Sequence, residues 1–380
     1  MESYFEFRTS NYYLTEDWGP QLAAIWKERG WLSGGVWLID ERVHTLQRAW
    51  IERYVEPLIL GKIIIPSGES SKEFSHLEGL YERLSELRLE RATPLVALGG
   101  GVVGDLTGFL AATYMRGVPL VSLPTTLLAV ADASIGGKNG VDFRGAKNMI
   151  GAFYPPQLTL AGIQLLESLP PEEWACGMAE VIKTLLLCPE ERWRQFSEYC
   201  RRQLGMGLVA QEEPLSFKER VARLKGDRSE LLELLEGVVQ RKLEIVAQDP
   251  RDLSGVRAQL NLGHTWAHAL EKASNYQLRH GQAVAIGLRA AVILAQKLEL
   301  AQTAMETALV EMLEFWGLPT TIPSWLKWEN FARNLRYDKK CKGGESLFIL
   351  PVTWGRTAKV ELVPVEVLEQ VWAELADTED

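Results

Sequence analysis

Cysteine is scarce in this chain, and so is any pattern among the few present. Its 380 residues hold four, Cys176, Cys188, Cys200 and Cys341, with no CxxC pair and no framework of close spacings. That argues against a disulfide scaffold and predicts reduced thiols in a cytoplasmic protein. Long hydrophobic runs are missing too. The most apolar segment, Ala283 to Gln296, is shorter than a membrane span and carries Arg289 in its middle. The first residues lack the basic start and apolar stretch of a secretory leader, so none is expected. Basic charge is in deficit, with 41 Lys and Arg against 50 Asp and Glu, a net charge of -9 and a pI near 5.4. Nucleic acid is therefore not expected as a partner, because phosphate backbones demand a surplus of cations. A small anion needs only a local basic pocket and stays possible. There are no internal repeats and no low-complexity tract.

What remains is an ordinary globular balance, 47% hydrophobic and 24% charged, long enough for two domains. The first half alternates strand-like and helix-like stretches. Gly35–Ile39, Lys62–Pro66, Pro94–Leu98 and Val118–Leu123 read as strands. Val43 to Leu60 reads as a helix, and Ser70-Ser-Lys-Glu73 as a capping box that opens another. Strands separated by helices predict a parallel, Rossmann-like sheet covered on both faces. After Pro170-Pro171 helical patterns dominate: Glu172–Leu187, Leu231–Gln248, Thr265–Ser274, Gln282–Leu298 and Ala304–Phe315. Cys200 to Arg228 reads as a polar helix–loop insertion, and Ser346–Pro351 with Thr357–Leu362 as a late hairpin. The expected layout is an α/β domain over 1–170 and a mostly helical domain over 171–380.

Three groups of residues carry chemistry. Gly99-Gly-Gly-Val-Val-Gly104 fits GxGxxG between a strand and a helix, where glycines let backbone N–H groups approach a pyrophosphate. The acid usual some twenty residues on is absent, which leaves Asp40, at the end of an earlier strand, to hold a ribose. Gly68-Glu-Ser-Ser-Lys72 and Pro124-Thr-Thr126 lie at helix starts, where plain capping is the bland alternative. Three of the five histidines, His264, His268 and His280, fall close together. His264 and His268 share one face of a helix and suggest a divalent metal, with Glu180 as the carboxylate from another helix. Spacing alone names His264 and His268 as the ligands and leaves an acid–base role open for either. A basic set, Arg116, Lys138, Lys147, Lys183, Lys242, Arg257, Lys339 and Lys340, predicts an anion pocket in an acidic chain.

Taken in order, Leu98–Asp105, Tyr114-Met-Arg-Gly117, Pro124–Leu128, Gly136-Gly-Lys138, Lys147–Tyr154, Ala179–Lys183, Asn261-Leu-Gly-His-Thr265 and Asp338-Lys-Lys340 resemble the 3-dehydroquinate synthase family. The resemblance runs from about Ile65 to Pro351. It implies conversion of 3-deoxy-arabino-heptulosonate 7-phosphate to 3-dehydroquinate and phosphate in the shikimate pathway, with catalytic NAD and zinc or cobalt. It implies Glu180, His264 and His280 as metal ligands and moves His268 to acid–base duty at the phosphate. NAD would meet Asp40, Glu69, Lys72, Gly100, Gly101, Asp105, Thr125, Thr126 and Leu128, with Lys147 at the nicotinamide end. Lys138, Asn148, Asn261, His268 and Lys339 or Lys340 would hold the phosphate. Arg116 would come from the neighbouring subunit of a homodimer. Lys242 and Arg257 would take the substrate carboxylate, and Asp132 and Lys183 its hydroxyls.

The pattern departs from the family at several places: Asp132-Ala-Ser134, Gly136-Gly-Lys-Asn139, Arg42 after the strand-end acid, and Asp249-Pro-Arg-Asp252 with one extra residue before Arg257. Asp252 is the nearest candidate for the acidic proton relay. A sedoheptulose 7-phosphate cyclase is the first alternative, disfavoured by His268, Lys242, Arg257 and Asn261. A metal-dependent polyol dehydrogenase is the second.

Overall fold

The computed structural model describes residues 3–7, 10–206, 215–226, 228–301, 304–336 and 347–376. They form two compact units: Met1–Glu173 with Leu224–Ala247, and Trp174–Arg223 with Gln248–Asp380.

The first unit is built on a seven-stranded sheet. Its strands are β1 (Ser3–Phe7), β2 (Ser10–Thr15), β3 (Gly35–Asp40), β4 (Ile59–Ile65), β5 (Leu95–Gly99), β6 (Leu120–Pro124) and β9 (Leu158–Gly162), in the order β1-β2-β9-β6-β5-β3-β4. Only β1 runs antiparallel; the other six are parallel, as the alternating sequence predicts. A separate antiparallel hairpin joins β7 (Lys138–Phe143) to β8 (Ala146–Phe153).

The strand sequences read as continuous apolar runs because both faces are buried. Val36 and Leu38 pack with Leu95, Leu106 and Leu110 on one face. Trp37 and Ile39 pack with Trp18, Trp26 and Val96 on the other. The chain runs outward from β3 to the edge at β4, then crosses back to β5. This reversal opens a crevice at the carboxyl ends of β3 and β5, the usual ligand position in such sheets.

Two local expectations fail. Ser70–Glu73 does not open a helix: short 3-10 turns cover Glu69–Lys72 and Phe74–His76, and the α-helix starts at Leu77. Tertiary partners outcompete the cap, since the Ser71 hydroxyl donates to the Pro66 carbonyl at 2.6 Å and Lys72 is buried against Asp105. Val43–Leu60 is not one helix either. An α-helix ends at Leu46, short turns carry the chain to Leu58, and β4 begins at Ile59.

Helices dominate the second unit, among them Glu190–Leu204, His264–Ala273, His280–Lys297, Ala304–Phe315, Trp328–Arg336 and Val365–Leu375, beside a hairpin of β10 (Phe348–Thr353) and β11 (Arg356–Val360). Glycines set the closest helix approaches. A Cβ on Gly281 would stand 2.3 Å from the Cys176 Cα, and one on Gly287 would stand 2.2 Å from the Gly263 carbonyl oxygen. No described helix is long and apolar enough to cross a membrane.

Candidate active site

In the first unit the predicted dinucleotide residues gather at the sheet reversal. Asp40 closes β3, and its Oδ1 accepts from Arg42 N–H at 2.9 Å, Val43 N–H at 3.2 Å and the Ser67 hydroxyl at 2.8 Å. Gly99 ends β5, Gly100 caps the helix Gly101–Thr113, and that helix starts beside Thr126. A Cβ on Gly100 would press on the Thr126 methyl at 3.0 Å, whereas one on Gly104 would meet nothing within 4 Å. The space in front of this glycine face belongs to a small cleft lined by Gly99, Gly100, Gly101, Gly104, Ala133 and Gly137. A helix N-terminus edged by glycine backbone suits a phosphate-bearing ligand.

Thr126 Oγ1 accepts the Ala129 N–H at 3.1 Å, so capping accounts for it. The Thr125 hydroxyl is different: it is buried without a hydrogen-bond partner. Leu128 leads into the helical turn Ala129–Ala133. The other four charged candidates meet as two opposite pairs. Lys72 is ion-paired with Asp105, and Lys147 Nζ lies 4.0 Å from Glu69 Oε1. Burial pushes the Asp105 carboxyl up to about 6, against the pull of Lys72.

The anion candidates of this unit divide. Arg116 is exposed in a turn where Met115, Arg116 and Gly117 all have positive φ. Lys138 and Asn148 are exposed on the β7–β8 hairpin, with the Asn148 N–H held by Asp142 Oδ1 at 2.8 Å. Lys242 is buried, and its ammonium donates to the Asp132 carbonyl at 2.6 Å and to Asp132 Oδ1 at 2.5 Å. The unusual Asn139 also has a purpose: its amide ties the Gly137 and Tyr154 carbonyls together at 3.1 and 2.7 Å.

In the second unit Glu180 is 0% exposed within the helix Pro171–Leu186. His264 and His280 are each the first residue of a helix. Their Nε2 atoms face Glu180 Oε1 at 3.4 and 3.3 Å, and Lys183 contacts the other oxygen. Each ring is turned by its far nitrogen: His264 Nδ1 sits 3.1 Å from the Leu262 carbonyl and His280 Nδ1 3.4 Å from Glu271 Oε1. Neither Glu180 oxygen takes part in a well-formed hydrogen bond, although both are buried. Both imidazoles thus face one carboxylate oxygen, and Lys183 is ion-paired with the other.

The spacing itself fits a cation. Nitrogen and oxygen ligands about 2.0–2.1 Å from a tetrahedral zinc stand about 3.3–3.4 Å from each other. One ligand atom from each of Glu180, His264 and His280 lies within 4.8 Å of the others. Burial opposes a proton on His280, but Glu180 and Glu271 outweigh it and push the imidazole up to about 10. Burial, Lys183, His268 and His280 hold His264 well below its ordinary value. The carboxylates favour positive charge at His280, while burial and the neighbouring cations oppose it at His264.

The ring of His268 is 5.5 Å from that of His264, on the same helix but outside the cluster. The pairing of His264 with His268 that spacing alone suggests is not the one whose nitrogens converge. Arg257 is buried; its N–H reaches Asp249 Oδ2 at 3.3 Å and its Nη1 donates to the Pro250 carbonyl at 3.2 Å. Asp252 is half-buried at φ 55°, and Asn261 ends the short turn Arg257–Asn261. Lys339 and Lys340 lie outside the described residues. Sequence reasoning missed two carboxylates, Glu271 and Asp249. For Glu271 there was a signal, an acid two turns beyond His264 on the same helix face.

A parallel sheet with a glycine-edged helix N-terminus, joined in one chain to helices bearing a carboxylate–imidazole cluster, defines the class of dehydroquinate synthase-like cyclases and dehydrogenases. Solved structures share this fold. One is ValA (2-epi-5-epi-valiolone synthase) from Streptomyces hygroscopicus subsp. jinggangensis, with NAD+ and Zn2+ bound, at TM-score 0.82 and 23% identity over 98% of both chains. Another is 2-deoxy-scyllo-inosose synthase complexed with carbaglucose-6-phosphate, NAD+ and Co2+, at TM-score 0.79 and 24% identity over 98% of this chain and 100% of that one. Sequence narrows the class. Residues 62–176 match the family model for the 3-dehydroquinate synthase N-terminal region, and residues 177–341 match that for its C-terminal region. The 3-dehydroquinate synthase of Symbiobacterium thermophilum is 42% identical over 295 residues, covering 77% of this chain and 76% of that one. That of a Synechococcus species is 37% identical over 365 residues, 94% of each. The chain belongs to the 3-dehydroquinate synthase family.

Proposed function

We propose that the chain is a 3-dehydroquinate synthase, a phosphate-eliminating lyase acting on 3-deoxy-arabino-heptulosonate 7-phosphate as a cytoplasmic homodimer. The convergence of Glu180, His264 and His280 in a member of this family carries the reading. These three residues would hold zinc or cobalt. Gly100, Gly101 and the helix they open would hold the pyrophosphate of NAD, with Asp40 at a ribose, Thr125, Thr126 and Leu128 beside it, and Lys147 at the nicotinamide end. Glu69, Lys72 and Asp105 would frame the same crevice. When bound, the metal polarises neighbouring substrate oxygens, and NAD takes up and returns a hydride within one turnover.

The remaining roles fall to side chains. Lys138, Asn148, Asn261 and Lys339 or Lys340 would bind the phosphate, with Arg116 reaching it from the partner subunit. His268 would exchange the proton at that end. Asp132 and Lys183 would position the hydroxyls, with Asp252 the candidate for an acidic relay. Lys242 and Arg257 would face the carboxylate. Two buried cations in a member of this family support a substrate with a carboxylate over sedoheptulose 7-phosphate, which has none.

The test is product analysis. The purified protein with NAD and zinc or cobalt should release one phosphate per 3-deoxy-arabino-heptulosonate 7-phosphate consumed, with NADH absorbance flat at steady state. Preferred turnover of sedoheptulose 7-phosphate would move the chain to the other cyclase branch. Stoichiometric NADH would make it a dehydrogenase.

A further inference from the structure

We infer that Glu271 is a positioning residue for the metal centre, holding His280 in the ring orientation and tautomer that ligation needs. The inference rests on the reading of Glu180, His264 and His280 as metal ligands.

Glu271 lies near the end of the helix His264–Ala273 and is only 7% exposed. A carboxylate is seldom buried without a purpose, since its charge must be compensated inside the protein. Its Oε1 sits 3.4 Å from His280 Nδ1, while Nε2 of the same ring faces Glu180 Oε1 at 3.3 Å. The imidazole is therefore suspended between two carboxylates, one on each nitrogen. If Glu271 accepts the Nδ1 proton, Nε2 is left with its lone pair directed at the cluster. Carboxylates behind metal-bound histidines act in this way, fixing the ring and raising its basicity.

The chain between the two residues is folded to maintain this contact. The Glu271 carbonyl accepts the Tyr276 N–H at 2.7 Å and the Ser274 hydroxyl at 2.9 Å. Ser274 Oγ in turn accepts the Leu278 N–H at 3.3 Å. Asn275 and Tyr276 have positive φ, which curls the connection tightly. Arg279 and Gln282 then form a capping box that starts the next helix at His280. Glu271 thus anchors the loop with its backbone and orients the ligand at the loop's far end with its side chain. Among the described residues, His264 Nδ1 has the Leu262 carbonyl behind it. The two imidazoles are supported unequally, and the charged support falls on His280.

Metal affinity, read apart from turnover, tests this. Wild type, Glu180→Ala, Glu271→Ala and Glu271→Gln would be stripped of metal, reloaded with cobalt, and titrated against a chelator while the cobalt absorption bands are recorded. Wild type should bind one cobalt and Glu180→Ala essentially none. Glu271→Ala should bind about 10–100-fold more weakly with altered bands. Glu271→Gln, whose amide oxygen can still accept the Nδ1 proton, should recover part of that loss. Wild-type affinity and an unchanged spectrum in Glu271→Ala and Glu271→Gln would overturn the inference and leave the ligand assignment standing. Failure of wild type itself to bind cobalt, or full binding by Glu180→Ala, would overturn both. If Glu271→Ala does not fold, the Gln variant decides: unchanged affinity and bands refute a positioning role, and weaker binding with shifted bands supports it.

Discussion

Single residues in this protein are defined by which neighbour their polar atoms face, and charge burial makes that measurable. Asp105 shows it well. Burial raises its carboxyl from 3.8 to about 6 despite Lys72, with Glu69 and Asp142 adding to the rise. The folded chain therefore holds that proton more tightly than the unfolded chain does. The resulting stabilisation is full below the ordinary carboxylate value and is lost as pH rises through about 6. The carboxyl's rise corresponds to roughly 3 kcal/mol. Unfolding free energies of wild type and Asp105→Asn, measured from pH 4 to 7, should diverge by that order, with wild type losing ground as pH rises. Parallel curves would show that Asp105 ionises normally. The same attention to direction explains what was legible at the metal cluster. Glu180 stood out as an acid interrupting an apolar helix face, and His264 through its neighbours. His280 could not be chosen over His268 from spacing, because ring proximity is similar for both: 5.5 Å from His264 to His268 and 5.7 Å to His280. Which nitrogen points where depends on Leu262 and Glu271, and helical periodicity does not encode that.

At the scale of elements, the loop from Asp249 to Arg257 is built around one buried acid. Asp249 is buried, and its carboxylate gathers the amides of Leu253, Ser254 and Arg257 at 2.8, 3.1 and 3.3 Å. Burial works against this carboxylate, but the donors outweigh it and hold it well below the usual range. Positive φ at Asp252 and Gly255 lets the longer loop close on its anchor, and Arg257 stays buried. Asp249→Ala should therefore raise KM for the carboxylate substrate toward the value of Arg257→Ala, with Asp249→Asn between the two. Arg257→Ala itself should cost about 2–5 kcal/mol of substrate binding, if the cation is desolvated on the substrate. Unchanged KM in Asp249→Ala would mean that Arg257 is placed by other contacts. Elements with strong local patterns were readable from sequence: β3, β5 and β6 as apolar runs, and Ala304–Phe315 to the residue. The β7–β8 hairpin was not. Its sequence is rich in Gly, Asn and Lys and β8 has no buried position, so no apolar run marks it. β9 was missed for the opposite reason, as Leu158–Gly162 is buried throughout and too short to show a period.

For the whole molecule, the division into two units separates the candidate ligands by place. Asp40, Gly100, Gly101, Lys72 and Asp105 belong to the first unit, and Glu180, His264, His280 and Glu271 to the second. The compositional shift near Pro170 marks the first passage between units. Leu224–Ala247 groups with the first unit without any such mark, because its apolar helical pattern resembles that of the helices around it. A ligand stabilises the structure that holds it by RT ln(1 + [L]/Kd), about 2.7 kcal/mol at a hundredfold excess over Kd. Opening events that break its site become correspondingly rarer, and those that leave the site intact do not. Metal should therefore protect one set of amides and NAD another. Hydrogen exchange followed by mass spectrometry reads both. Chelation should speed exchange in the helices His264–Ala273 and His280–Lys297 and around Glu180, leaving β3, β5 and β6 at their rates. Adding NAD to the chelated protein should slow exchange at the ends of β3 and β5 and in the helix Gly101–Thr113. Equal changes over both sets in each experiment would mean that the protein opens as one cooperative block, whatever its contacts suggest. Protection of β5 by metal alone would place the metal on other residues than Glu180, His264 and His280.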